Sequence, residues 1–438
     1  METTHSDDLK VLHQTWSVCP VCLKRLPAER VQIGTNVFLR KTCAEHGTFE
    51  SIIWRGRFDI HEWMGETESP ALANPRCPDG CGLCPDHLQK TCCVLLNITS
   101  RCNLDCRFCF ADQGGAMDDP PFEAIRESLA NLVKTGKTLV QLSGGEPTVR
   151  SDLPDIIHAA KAAGLKYVQL NTNGVRLGED QDYVRALADA GLSFVFMQFD
   201  GTEDAIYEEL RGQPLLKIKQ NAIKHCAAQN LGVTLVPTIV RGINTQNIGE
   251  TLKFAISQSP NVRGVHFQPV SFIGRAPEHP TDHERITLDE LICEIEQQTD
   301  GMIRAEHLVP SHCNHPLCGF HGDFLTNHNE VIPLLKREKP VQQCCCNSNA
   351  ADKRRAFLTR RWQRPALNDA ETASCCGDIH DMEYFLKRIK THGFTVTAMA
   401  FQDADTLDFT RLRSCSLHVY DKGRFVPFCA YYLSGRKQ

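Results

Sequence analysis

Asn97-Ile-Thr-Ser-Arg-Cys102-Asn-Leu-Asp-Cys106-Arg-Phe108-Cys109 sets three cysteines at C-x3-C-x2-C spacing. Three thiolates on one tight loop suit three corners of a [4Fe–4S] cube. Such a cluster ordinarily takes four protein cysteines, so this loop leaves one iron free for another ligand. An open metal position binds and activates a small molecule, as an open zinc does. Residues 94–99 read as a β-strand, which puts the loop at a strand's carboxyl end.

From about residue 93 to 275, short β-branched runs alternate with amphipathic helical segments. Strands are expected at 94–99, 139–142, 167–171, 194–199, 233–238 and 264–270. Helices are expected near 122–135, 153–163, 181–190, 218–229 and 246–257. This alternation predicts an α/β fold, a parallel sheet with crossover helices. Six units are too few for an eight-unit barrel. Ligands of such sheets bind at the carboxyl ends of the strands. There Ser143-Gly144-Gly145-Glu146-Pro147 follows the second strand, Asn171-Thr-Asn173-Gly174 the third and Asp200-Gly201 the fourth. Glycines admit close backbone approach to a ligand. Asn173 and Asp200 are candidates for contacts to a ribose or a carboxylate, although strand-end turns explain both almost as well.

C-x3-C-x-aromatic-C followed by Gly-Gly-Glu-Pro at the next strand end resembles the signature of the radical S-adenosylmethionine (SAM) superfamily. The resemblance implies a partial (β/α)6 parallel barrel. It implies Cys102, Cys106 and Cys109 as cluster ligands and catalytic centre, with Phe108 packed near the adenine. Gly144, Gly145 and Glu146 would contact the methionine amino group of SAM. In this family the open iron chelates SAM, whose reductive cleavage yields a 5'-deoxyadenosyl radical that takes a hydrogen atom from the substrate. An electron donor such as ferredoxin or flavodoxin is implied as partner.

Cysteine is the compositional outlier, 22 of 438 residues. In a reducing cytosol that count argues for metal ligands over disulfides. Cys19-x2-Cys22 and Cys43-x2-His46 have the spacing of paired knuckles on one tetrahedral metal. Zinc is the default there and rubredoxin-type iron the alternative. The run 31–40 reads as a hairpin turning near Gly34, in a module spanning 1–70. Cys77-x3-Cys81-x2-Cys84 repeats the cluster spacing without the aromatic, and Cys92-Cys93 follows. An auxiliary [4Fe–4S] cluster is expected in 71–93, with Cys92 or Cys93 as fourth ligand and a second zinc knuckle as the bland alternative. The barrel is expected to end at 275. A linker at 276–285, a helix near 288–298 and a hairpin at 324–335 begin a C-terminal auxiliary-cluster domain, 276–438. Cys313 and Cys318 with two of the later cysteines (Cys344, Cys345, Cys346, Cys375, Cys376, Cys415 and Cys429) predict another [4Fe–4S] cluster, and the sequence does not decide which two.

The net charge of −5 gives no basic footprint for nucleic acid. No apolar run reaches the 18 or so residues of a membrane span, and the N-terminus lacks a signal-peptide pattern. A cytoplasmic protein is expected.

A closer resemblance rests on several segments together: Cys19-Pro-Val-Cys22-Leu-Lys, Lys41-Thr-Cys43-Ala-Glu-His46-Gly, Cys81-Gly-Leu-Cys84-Pro-Asp-His87, Cys313-Asn-His-Pro-Leu-Cys318 and Val426-Pro-Phe-Cys429-Ala-Tyr. The set is similar to archaeal tetraether lipid synthase and the related pterin-dimethylating radical SAM enzymes. It implies C–C bond formation at an unactivated carbon. Coupling of lipid alkyl chains is the expected reaction, on family grounds alone. Methylation of a pterin ring carbon is one alternative, and modification of a peptide or small molecule another. From a different class comes a zinc-rich binding protein without catalysis. No basic amphipathic helix of the interfacial kind is visible, which leaves peripheral membrane contact open. A pterin would need a polar, aromatic-lined pocket, for which His266, Gln268 and Phe272 are placed near the sixth strand end.

Overall fold

The alternation over residues 93–275 becomes a parallel sheet in the computed structural model. It describes residues 9–65, 86–111, 119–277, 280–311, 313–327, 330–337, 356–357, 359, 361–364 and 382–434. Four antiparallel strands come first: β1 (Lys10–Val18), β2 (Arg25–Ile33), β3 (Asn36–Cys43) and β4 (Gly47–Trp54). Gly34 turns β2 into β3 at a positive φ of 59°, where a glycine carries no Cβ penalty.

The six expected barrel strands are β5 (Cys93–Thr99), β6 (Leu139–Gly144), β7 (Tyr167–Thr172), β8 (Phe194–Gln198), β9 (Gly232–Val236) and, after the two-residue β10 (Thr238–Ile239), β11 (Val262–Pro269). They pair in parallel in the order β11-β9-β8-β7-β6-β5. The expected helices lie between them, for example Phe122–Lys134 and Leu153–Ala162. Strand residues alternate between the faces. On the outer face Val140, Leu142, Val168, Leu170, Val195 and Met197 are fully buried among the helices. The inner face carries Gln141, Gln169, Asn171, Gln198 and His266 instead. A parallel sheet buried on both faces is apolar on both. A polar inner face belongs to a barrel whose interior takes a ligand.

The change of rhythm after 275 does not end the sheet. The helix at Leu288–Gln298 forms as expected. The hairpin forms from β13 (Gly319–Asn327) and β14 (Glu330–Pro333), with β12 (Val309–Pro310) paired on β13's other side. Then β15 (Gly393–Met399) runs parallel to β11 while pairing antiparallel with β13. At the opposite edge β16 (Leu417–Asp421) runs parallel to β5 and turns back into β17 (Arg424–Pro427). The C-terminal third thus widens the barrel sheet at both edges.

The four-stranded module is clasped between two parts of this body. Arg55 on its last loop meets Glu290 (3.1 Å), and its backbone N–H donates to Asp289. On the other side Arg30 pairs with Asp408 at 2.6 Å, both almost fully buried. Lys41 donates to Ser17 Oγ and to the carbonyls of Ala404 and Asp405. Burial pushes the Lys41 amine down to about 8.

Candidate functional site

The cysteine loop leaves β5 and is held from four directions. The Gly144-Gly145-Glu146 strap at the end of β6 pairs with its entry: Gly145 N donates to Thr99 O and Glu146 N to Arg101 O, each at 2.8 Å. A Cβ on Gly144 would lie 2.1 Å from Thr99 O, and one on Gly145 2.2 Å from Arg101 O. Gly144 also has a φ of 129°. Only glycine permits this approach. Asn173 Nδ2 donates to Asn103 Oδ1 at 2.7 Å. Arg107 N donates to Leu210 O at 3.1 Å. Cys109 and Arg275 exchange two backbone hydrogen bonds of 2.9 Å, and Arg275 Nη1 donates to Cys106 O. Cys102 is exposed, whereas Cys106 and Cys109 are half-buried. Phe108 packs edge-on against Phe272, ring centroids 6.4 Å apart.

The polar residues expected to touch a cofactor are already engaged within the protein. Glu146 Oε1 accepts from Thr148 and Thr172, and Oε2 accepts from Asn173 N at 2.6 Å. Asp200 accepts from both Arg211 nitrogens (2.7 and 2.8 Å), from Gln198 Nε2 and from Thr238 N. It is 1% exposed. The structure therefore makes Asp200 an anchor for Arg211. Arg211 in turn faces the Cys106 sulfur. Burial works against its charge, but Asp200 and Cys106 outweigh that and hold its pKa above the ordinary value. Lys219 donates to Asn173 O and Gln198 Oε1, and burial pushes it down to about 8. Sequence reading missed Arg211 because it missed the short acidic helix Asp204–Arg211. The spacing of Ile206 and Leu210, one turn apart and both buried, was the available signal.

Three soft thiols on a strand-end loop, fixed by main-chain bonds and fronting a polar barrel, fit a [4Fe–4S] cluster with one iron left for SAM. The donor set alone makes that fit.

In the N-terminal module the ligand atoms of Cys19, Cys22, Cys43 and His46 lie within 4.8 Å of one another. His46 Nδ1 is 3.6 Å from the Cys19 sulfur and 3.5 Å from that of Cys43. Edges of about 3.6 Å follow from a tetrahedron with zinc's usual bond lengths. The backbone N–H of Glu45 and the His46 ring pull the Cys43 thiol down to about 6, which favours the thiolate a metal needs. Cys19→Ser is expected to remove this metal and lower the melting temperature while cluster iron is kept. Unchanged metal content would exclude a metal here.

The C-terminal cysteines divide. Cys318, Cys415 and Cys429 line one small pocket, with Arg411 Nε 3.5 Å from Cys318 and Gln402 N 3.3 Å from Cys429. Cys313 packs instead against Cys92, with Cys93 beside it. The sequence groups Cys313 and Cys318 with two later cysteines; here Cys318, Cys415 and Cys429 share one pocket and Cys313 sits beside Cys92. The turn at Pro316–Cys318 separates Cys313 from the others. Cys77, Cys81 and Cys84 lie outside the described residues. Phe272 belongs to an apolar cluster with Phe108, not to the polar inner face.

Residues 96–255 match the family model of the radical SAM superfamily, and residues 11–55 match the "HMPTM N-terminal zinc ribbon domain". The class is a radical SAM enzyme, with a [4Fe–4S] cluster and SAM as cofactors. The chain is 33% identical to 7,8-dihydro-6-hydroxymethylpterin dimethyltransferase of Methanocaldococcus jannaschii, over 97% of this chain and 94% of that one. The chain belongs to the radical SAM superfamily, in the family of that dimethyltransferase. It is also 27% identical to PqqA peptide cyclase of Methylocella silvestris, covering 51% of this chain and 61% of that one. Streptococcus suis SuiB bound to S-adenosylmethionine superposes with a TM-score of 0.41 at 16% identity, covering 49% of this chain and 47% of that chain. That likeness is too low to carry an argument. The non-enzymatic alternative falls with these matches. The expected coupling of lipid alkyl chains gains no support from them, and methylation of a pterin fits them better. Among the described residues no helix is long and apolar enough to cross a membrane.

Proposed function

We propose that this protein is a radical SAM transferase that installs methyl groups on a pterin ring carbon. The reading is carried by the similarity to the pterin dimethyltransferase along nearly the whole chain. The inner face of the barrel supports it, because an alkyl tail would leave Gln169 Oε1 and the Thr234 hydroxyl unpaired. When bound, the reduced cluster and SAM supply a 5'-deoxyadenosyl radical, an abstractor of hydrogen atoms. Cys102, Cys106 and Cys109 would hold the cluster. Asp200 fixes the Arg211 guanidinium beside Cys106, and the Gly144–Glu146 strap fixes the loop's entry. The barrel encloses the substrate away from bulk water. The two C-terminal and interdomain thiol groups, Cys318/Cys415/Cys429 and Cys92/Cys93/Cys313, are the proposed auxiliary centres.

The test is anaerobic incubation of the reduced holoenzyme with SAM and 7,8-dihydro-6-hydroxymethylpterin, read by mass spectrometry. Each methyl group taken from a further SAM leaves S-adenosylhomocysteine, so the expected products are 5'-deoxyadenosine, S-adenosylhomocysteine and a pterin heavier by one or two methyl groups. Turnover of an alkyl lipid with the pterin left unchanged would overturn the reading.

A further inference from the structure

We propose that Gln169 and Thr234 are the specificity-determining residues that read the edge of a flat heterocycle inside the barrel. This rests on the pterin reading and deepens it. The two side chains stand on the inner face, on β7 and β9, with β8 between them. Gln169 aligns with Phe194 and Thr234 with Phe196. Two strand spacings of about 4.8 Å and a two-residue step of about 6.8 Å along the strands place them roughly 12 Å apart, a span suited to a fused two-ring system with its edge substituents.

Both are almost fully buried, at 0% and 1% exposure. Gln169 Nε2 donates to Asn171 Oδ1 at 2.6 Å, which fixes the amide orientation and leaves Oε1 as an acceptor. That Oε1 and the Thr234 hydroxyl have no hydrogen-bond partner among the described residues. Buried polar atoms are nearly always paired, and an unpaired one is costly. An acceptor and a hydroxyl left unpaired on one face of the sheet suit a ligand that carries both donors and acceptors at its rim. A pterin's fused amide and amine groups have that character, and an alkyl chain has none of it.

Between the two residues lies an aromatic surface. Phe196 is half-buried, stacks on His266 with centroids 5.7 Å apart and meets Trp362 edge-on at 4.6 Å. A flat ring can lie against such a face. His266 bonds Thr397 Oγ1 at 2.8 Å, and burial holds its pKa down to about 4. It is therefore neutral at working pH, with no charge to favour an ionic substrate.

Trapped water is the competing partner for these two atoms. Binding of 7,8-dihydro-6-hydroxymethylpterin to the SAM-loaded holoenzyme, measured by anaerobic calorimetry, separates the two. Gln169→Met and Thr234→Val are expected to weaken binding about tenfold each, the scale of one lost hydrogen bond. Thr234→Val should melt close to the wild type, since its hydroxyl has no partner to lose among the described residues, whereas Gln169→Met also loses the Nε2 hydrogen bond to Asn171 and should melt lower, so the Thr234 pair carries the test. Thr234→Ser, which keeps the hydroxyl, should restore wild-type affinity. Wild-type affinity in both Gln169→Met and Thr234→Val would overturn the inference while leaving the pterin reading intact. Failure of the wild type itself to bind would overturn the pterin reading and this inference with it.

Discussion

Replacing Cys102, Cys106 and Cys109 together with Ala is expected to abolish 5'-deoxyadenosine formation and to remove one cluster's worth of iron. The three thiols are the only cysteines on the loop held by the Gly144–Glu146 strap and by Arg275. Among the described residues, Cys226 is no ready substitute: it lies in the helix Leu216–Ala228, where burial pushes it up to about 12. Loss should be specific. The Cys19–His46 site belongs to a different sheet, and its metal should survive. Iron analysis and product mass spectrometry on the same anaerobic preparations check this, with Cys226→Ala as a control that keeps SAM cleavage. Persistent deoxyadenosine in the triple variant would mean that the radical centre lies elsewhere.

What the sequence disclosed follows how local its signals are. Strands at 94–99, 139–142 and 167–171 and the helix at 288–298 were legible because period-2 and period-3.6 patterns need only a short window. The knuckle pair Cys19/Cys22 and Cys43/His46 was legible for the same reason. Its spacing encodes its geometry, and the hairpin between supplies closure. Strands β15 and β16 were not legible as parts of the barrel sheet. Their partners β11 and β5 lie more than a hundred residues away, and nothing local encodes that pairing. The same distance hides the neighbour of Cys313. Its neighbour Cys92 comes from the far side of the barrel in sequence, whereas Cys318, five residues on, faces another pocket. Asp200 was singled out for its position at a strand end. Its role as the anchor of Arg211 depends on a helix whose acidic, weakly apolar sequence hid it.

The largest effect on stability is expected at Asp408. Burial alone would raise its carboxyl pKa, but Arg30, His315 and the Thr15 hydroxyl overcome that and hold it well below the usual carboxylate range. Thr15 Oγ1 donates to it at 2.7 Å and Thr410 N at 2.8 Å, so it also caps the short helix Phe409–Arg413. Asp408→Ala leaves the Arg30 charge buried without compensation, a change that costs about 3–5 kcal/mol. Asp408→Asn restores the cap but not the charge and should recover only part of that loss. Because the folded pKa is depressed, the pair's contribution is complete above the unfolded carboxylate value of about 3.9 and fades as pH falls below it. Wild-type stability should therefore drop below about pH 4 more steeply than that of Asp408→Ala. The consequences reach the thiol pocket, since the capped helix carries Arg411 against Cys318. Asp408→Ala should lose iron more readily on dilution than the wild type while Cys102–Cys109 remain intact. Denaturant unfolding at pH 7 and pH 3.5 tests the energetics, and a loss under about 1 kcal/mol at pH 7 would show that this clasp does not hold the zinc ribbon to the barrel.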